Sequence, residues 1–219
     1  MLYEKIKKDE RIKAYIQYSD EVLSAIGYTE HSFAHVCKVA ETAGYILETL
    51  GYSEKEIDLG KCAGYLHDIG NIVNRVDHGQ SSAIMAFRLL EEYSVDARDV
   101  ATIVAAIGNH DEGTGIPISP IAAALILADK SDVRRTRVRD IEESANLDIH
   151  DRVNYSVKES VLKINEAKTI IKLKLTVDTR YGSVMDYFEI FLSRMILCRK
   201  AAETLGLQFK LIINEQQLI

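Results

Sequence analysis

The sequence predicts a mainly α-helical protein that ends in a small C-terminal α+β unit of ββαβ order, and three observations predict it. Apolar residues recur at three- and four-residue intervals as far as about Ala145, two later stretches alternate apolar with polar residues, and Ser, Asp, Gly and Pro stand where such elements start and stop. The change of period sets the expected boundary: a helical domain over residues 1–145 and the small unit over 146–219. With 219 residues and 47% hydrophobic composition, the chain can bury a sizeable core. No repeat or low-complexity tract breaks either part.

From Glu4 to Ile26 the positions Ile6, Ile12, Tyr15, Ile16, Val22, Leu23 and Ile26 follow helical intervals, and Gly27 supplies a stop, so one or two helices are expected. A helix from about His31 to Leu50 presents Phe33, Val36, Val39, Ala43, Ile46 and Leu47 on one face, with Gly51 past its end. Ser53 and Glu56 have the spacing of a capping box, in which each side chain satisfies the other residue's free N–H. The helix they open carries Leu59, Cys62, Ala63 and Leu66, and His67 and Asp68 fall at its last turn before Gly70.

A loop with Asp77, His78 and Gly79 is expected next, then a helix from about Ser81 to Tyr93 and another from Asp96 to near His110. After the turn-rich segment Asp111 to Ser119, Ser119 and Pro120 form a helix start, because proline at the first helical position gives up a donor that would be unpaired anyway. That helix is apolar as far as Asp129, which places a carboxylate on a buried element. Beyond Ala145, Val153, Tyr155 and Val157, and then Ile171, Leu173, Leu175 and Val177, alternate as half-buried strands do. A helix from Ser183 to Leu205 capped by Gly206, and a last strand through Leu207, Phe209, Leu211 and Ile213, complete the unit.

A net charge of −6 argues against nucleic acid or an anionic membrane surface as partner, since both need clustered positive charge. The charged start and a longest apolar run of only Ile121 to Ala128, against the roughly 20 residues that cross a bilayer, predict a cytoplasmic protein. Cys37, Cys62 and Cys198 sit among apolar neighbours without close pairing and are read as reduced core residues.

The chemistry resides in His35, His67, Asp68, His78, His110 and Asp129, each near a helix end or on a helix face. Four imidazoles and two carboxylates without a thiolate suit Fe, Mn, Co, Ni or Zn rather than Ca. Six candidate ligands exceed what one ion needs, so two divalent ions with Asp68 as bridge are expected.

The order and spacing of these residues resemble the HD superfamily of metal-dependent phosphohydrolases, whose core is a helical bundle. His35 opens His-Val-Cys-Lys-Val-Ala, Leu66-His67-Asp68-Ile69-Gly70 looks like the central motif, and Ala128-Asp129-Lys130 like the closing one. His78-Gly79-Gln80-Ser81-Ser82-Ala83 and Asn109-His110-Asp111 resemble the intermediate histidine segments of the dinuclear branches, which include the YqeK-type and HD-GYP proteins. Asn71, the single His110 and Gly115-Ile116-Pro117 depart from the cyclic-dinucleotide enzymes. The likeness spans about residues 30 to 140 and does not reach the ββαβ unit.

What it implies is hydrolysis of a phosphate ester or anhydride in a nucleotide-like small molecule by a metal-activated hydroxide. His35, His67, Asp68 and Asp129 would hold one ion, and His78 and His110, with Asp68 bridging, the other. Two other readings stay open: a single-metal nucleotidase in which His78 and His110 touch substrate, and a metal-containing ligand sensor without turnover. Arg134, Arg135, Arg137 and Arg139 offer guanidinium groups that grip phosphate with two parallel donors, and the resemblance makes Arg135 the expected phosphate contact, since relatives place an Arg near that spacing. Glu112 is a candidate for orienting a ligand or water, His31 is expected beside the site rather than as a ligand, and His150-Asp151 is expected in a solvated turn. Open strand edges on so small a sheet make a homodimer possible.

Overall fold

The computed structural model describes residues 1–139, 149–181 and 183–218. Among them the first helical stretch is divided as expected, into α1 (Leu2–Ile6) and α2 (Glu10–Ala25), the second capped by Asp9. The helix α3 (Phe33–Leu50) starts at the Ser32 cap and ends on Gly51, whose φ of 89° is a left-handed conformation that glycine adopts without a Cβ penalty. In α4 (Glu54–Leu66) the capping box is formed: Ser53 Oγ accepts from Glu56 N, and Glu56 Oε2 accepts from Ser53 N at 2.9 Å.

A single 3-10 turn, Ile69–Ile72, links α4 to α5 (His78–Glu91), which is followed by α6 (Ala97–Gly108). The loop expected through Gly79 is therefore shorter, because Asp77 makes the turn alone at φ 56° and the helix begins at His78. The central helix α7 (Pro120–Lys130) has Ser119 Oγ accepting from Ala122 N, and every residue from Ile121 to Ala128 is buried. Each fully buried Leu or Ile there contributes roughly 1.5–3 kcal/mol, so the helix ending in Asp129 and Lys130 is firmly anchored.

The boundary expected between residues 145 and 146 lies outside the described residues. The strand expected at Val153, Tyr155 and Val157 starts later: residues 149–156 form α8 (Ile149–Ser156), and β1 (Val157–Ile164) begins at Val157. Ile149, Val153 and Val157 are four apart, and that helical repeat overrides the shorter alternation. Then come β2 (Ile170–Val177), α9 (Val184–Thr204), β3 (Gln208–Ile213) and a two-residue β4 (Gln216–Gln217) that the ββαβ reading lacks. The sheet runs β1-β2-β3-β4, with β2 and β3 parallel across the α9 crossover and the outer pairs antiparallel. The edge of β1 is partly engaged, since Ile164 N donates to Tyr45 Oη of α3 at 3.3 Å.

One buried apolar cluster continues from the bundle into the sheet, and α9 packs against α7. Cys62 and Cys198 are buried, Cys37 is half-buried, and all three are free thiols. No helix among the described residues is long and apolar enough to cross a membrane.

Candidate metal centre

Five segments deliver the six expected side chains to one place. His35 lies one turn into α3, His67 caps α4, Asp68 follows it, His78 opens α5, His110 lies just past α6, and Asp129 stands in the last turn of α7. The two oxygens of Asp68 face opposite ways. Asp68 Oδ2 lies 3.2 Å from His67 Nε2 and 3.5 Å from His35 Nε2, while Oδ1 lies 3.3 Å from His78 Nε2 and 4.0 Å from His110 Nε2. Asp129 Oδ1 closes the first group at 3.3 Å from His35 Nε2 and 3.6 Å from His67 Nε2.

Each of the four imidazoles commits its Nδ1 to an acceptor: Asp132 Oδ2 for His35 (2.8 Å), Gly64 O for His67 (2.8 Å), Arg75 O for His78 (3.2 Å) and Ile107 O for His110 (2.6 Å). Those bonds place the Nδ1 proton outward and turn the Nε2 lone pairs inward. Nε2 of His35 then meets Nε2 of His67 at 3.3 Å, and His78 meets His110 at 3.2 Å. Each such contact requires a proton or a cation between the two nitrogens, since two bare lone pairs at that distance repel. The donor set, with His35, His67 and Asp129 within 4.8 Å of one another and His67, Asp68 and His110 likewise, fits a divalent cation.

The electrostatics make the same demand. Burial alone would lift both carboxyls, yet His67 beside Asp68 and Lys130 beside Asp129 hold both well below the ordinary carboxylate range. Burial also works against a charged His67, but the two aspartates outweigh it and raise its pKa to about 10. Burial, followed by the charges of His67 and Lys130, pushes His110 down to about 3. A divalent cation held there would balance the same carboxylates in place of the proton on His67.

Residues around the ligand set fix its geometry. Asn71, fully buried, donates from Nδ2 to Asp68 Oδ1 at 3.1 Å and to the Asp68 carbonyl at 2.9 Å. Gly70 N donates to Ser82 Oγ at 2.8 Å, drawing the 3-10 turn onto α5 so closely that a Cβ on Gly70 would meet the Ser82 nitrogen and the His78 carbonyl well inside 3 Å. Gly70→Ala is accordingly expected to cost about 1–3 kcal/mol through overpacking. It should also part His78 from Asp68, so that melting temperature and bound metal fall together; a variant that keeps both would show that the close contact is dispensable.

Beside the ligands lies a cavity of about 500 Å³ lined by Asp68, His78 and Asp129, with His31, Lys130 and Arg75 among its walls. His31 donates its Nδ1–H to Thr29 O at 2.7 Å and sets its ring against His35, beside the ligand set. Arg135 does not line the cavity: its guanidinium lies 4.4 Å from the Tyr155 ring centre, and its Nε donates to the Tyr155 carbonyl at 2.6 Å. The arginines on the walls are Arg75, Arg137 and Arg194. Asp151 is half-buried and lines the cavity from α8, in place of the solvated turn expected at His150-Asp151. Glu112 Oε2 lies 3.3 Å from Lys130 Nζ, which in turn holds Asp129 Oδ2 at 2.7 Å.

Lys130, Asp132 and Arg194 have parts that the ligand pattern did not announce. Lys130 follows Asp129 directly and Asp132 lies three residues on, spacings that put both within a turn of a ligand, whereas nothing in the sequence ties Arg194 to the site.

A helical frame with a His and an Asp-bearing His-Asp pair closed by a late Asp defines a class, and residues 32–147 match the HD domain family. That match covers more than half of the chain, and the protein belongs to the HD domain family. It is 26% identical over 193 residues to the uncharacterized protein MJ1020 of Methanocaldococcus jannaschii, covering 78% of this chain and 74% of that one. It is 31% identical over 117 residues to Ribonuclease Y of Fervidobacterium nodosum, covering 52% of this chain but 21% of that protein. Among solved structures it is similar to a predicted HD superfamily hydrolase from an uncultured Thermotogales bacterium, at a TM-score of 0.47 and 23% identity, over 61% of this chain and 75% of that one.

Proposed function

We propose that this protein is a metal-dependent phosphohydrolase that cleaves a phosphate ester or anhydride of a nucleotide-like small molecule at a two-ion centre. The observation that carries the proposal is the carboxylate of Asp68, whose two oxygens face two separate histidine pairs. His35, His67, Asp68 and Asp129 would hold the first ion, and His78, His110 and Asp68 the second. When bound, such ions lower the pKa of a coordinated water and draw charge from phosphoryl oxygens.

The chain's own groups do the rest. Asp132 and the three backbone carbonyls keep the imidazoles in the tautomer that points Nε2 inward. Lys130 takes one oxygen of Asp129 so that the other faces the histidines. Arg75, whose Nη1 lies 3.3 Å from both Asn71 Oδ1 and His78 Nε2, offers donors to a phosphate at the second histidine pair.

Elemental analysis of the full chain, purified without added metal or chelator, is expected to give about two ions per chain from among Fe, Mn, Co, Ni and Zn. The loaded protein is then expected to turn over members of a phosphate ester and anhydride panel. One relative is named for cleaving RNA, so the panel includes a phosphodiester. About one ion per chain would move the reading to a single-metal nucleotidase, and none after soaking would sink it.

A further inference from the structure

The part of the chain beyond the HD match reaches the cavity. From α8 come Asp151 and Asn154, and from α9 come Phe191 and Arg194, all beyond residue 147 where the family match ends. Helix α9 packs along α7, the helix that carries Asp129 and Lys130. The small C-terminal unit is thus a wall of the site as well as an extension of the core.

Arg194 is the informative residue on that wall. Its guanidinium carbon lies 4.5 Å from the centre of the buried Phe191 ring, within cation–π range. Its Nε is engaged by Glu112 Oε1. Among the described residues its polar contact is the ion pair with Glu112, whereas Arg137 donates to the Glu30 and Asp132 carbonyls and Arg75 donates to Asn71. A guanidinium paired with a carboxylate and set beside a buried ring at a cavity wall suits contact with a phosphoryl group through its terminal nitrogens.

The place of Arg194 beside the candidate metal centre says which phosphoryl group. Among the described residues Arg194 makes no ion pair with Asp68 or Asp129 itself and is linked to Asp129 through Glu112 and Lys130, three ion pairs in series, which sets it beside the ligand set and not within it. We propose that Arg194, set by Phe191 and Glu112, binds a second phosphoryl group next to the one that is cleaved, making the C-terminal unit the part that selects substrates with adjoining phosphates. This rests on the phosphohydrolase reading for the class of ligand.

The test is calorimetric titration of the Mn-loaded full chain with imidodiphosphate, a diphosphate analogue that resists hydrolysis, and with inorganic phosphate. Wild type should bind imidodiphosphate more tightly than phosphate. Arg194→Ala should weaken imidodiphosphate about ten- to a hundredfold, the loss of a charge-assisted pair of hydrogen bonds, while phosphate changes less than twofold. Arg194→Lys, which keeps the charge but loses the fork, should fall between. Arg199→Ala, an exposed arginine on the same helix, should match wild type. Manganese per chain, measured on each variant, shows that the fold and the ligand set are intact. Imidodiphosphate bound equally by wild type and Arg194→Ala would overturn the proposal, as would an equal loss of phosphate or a wild type with no preference between the two. Binding is read without turnover, so a chain that hydrolyses nothing on the panel yet depends on Arg194 for imidodiphosphate counts against the hydrolase reading while keeping Arg194 as a contact for adjoining phosphates.

Discussion

Asp68→Ala is expected to remove metal and turnover together. The residue is 4% exposed, and among the described residues its side chain is the one placed between both histidine pairs, with Oδ2 toward His35 and His67 and Oδ1 toward His78 and His110. Taking it away leaves each pair with fewer oxygen donors and removes the negative charge that draws cations into a buried pocket. Ions per chain should fall toward zero, and turnover by about a thousandfold or more, the rate equivalent of several kcal/mol of charge stabilisation. Asp68→Asn separates charge from shape: its amide oxygen can still accept from one side, so a variant that retains a single ion and loses the other fits a bridging role. Full metal content and full turnover in Asp68→Ala would end the assignment of a shared carboxylate.

The candidate residues that the structure brings together were legible because metal ligation restricts side-chain chemistry. His35, His67, Asp68, His78, His110 and Asp129 are residue types that a borderline divalent ion requires, and their order carried a family resemblance that the HD match over residues 32–147 bears out. Helix starts were legible for a local reason: Ser53 with Glu56 and Ser119 with Pro120 each satisfy groups within one turn. Three- and four-residue periodicity also marked the helix faces.

What escaped the sequence depends on which distant elements meet. The pairing of His35 with Asp132 spans 97 residues, and no periodicity carries it. Arg135 follows Asp129 by six residues and looked like a phosphate contact, but Arg134 is extended at φ −160° and ψ 146° and the short turn after it sends Arg135 to Tyr155. Arg194 is separated from Glu112 in the chain by α7, α8 and the first two strands, and it reaches Glu112 because α9 lies on α7. Val153 and Tyr155 were misread because three apolar residues at alternate positions are too few to tell strand from helix.

Asp132 is where such a long-range pairing carries the largest consequence away from the ligands themselves. Its side chain is completely buried, and it accepts from His35 Nδ1 at 2.8 Å, Lys38 Nζ at 2.8 Å and Arg134 Nε at 2.9 Å. Burial would raise its pKa, but the hydrogen bond from His35 and the charges of Arg137 and Lys38 hold it well below the usual carboxylate range. It therefore stays ionised and fixes the His35 ring with Nε2 toward the ligand set. Asp132→Ala leaves His35 without its acceptor and Lys38, Arg134 and Arg137 with an uncompensated excess of positive charge. Breaking a buried ion pair from one side costs about 3–5 kcal/mol of stability, and loss of a carboxylate behind a ligating histidine costs about 10–100-fold in metal affinity. Both should appear, the first as a lower urea midpoint and the second in competition titrations with a chelator. Asp132→Asn keeps an oxygen for the Nδ1–H of His35 but not the charge, so it should recover most of the metal affinity while remaining destabilised. The two variants thus divide orientation from charge balance: if Asn and Ala lose metal affinity equally, Asp132 acts through its charge alone, and if neither loses any, the His35 ring is held by the packing of α3 against α7.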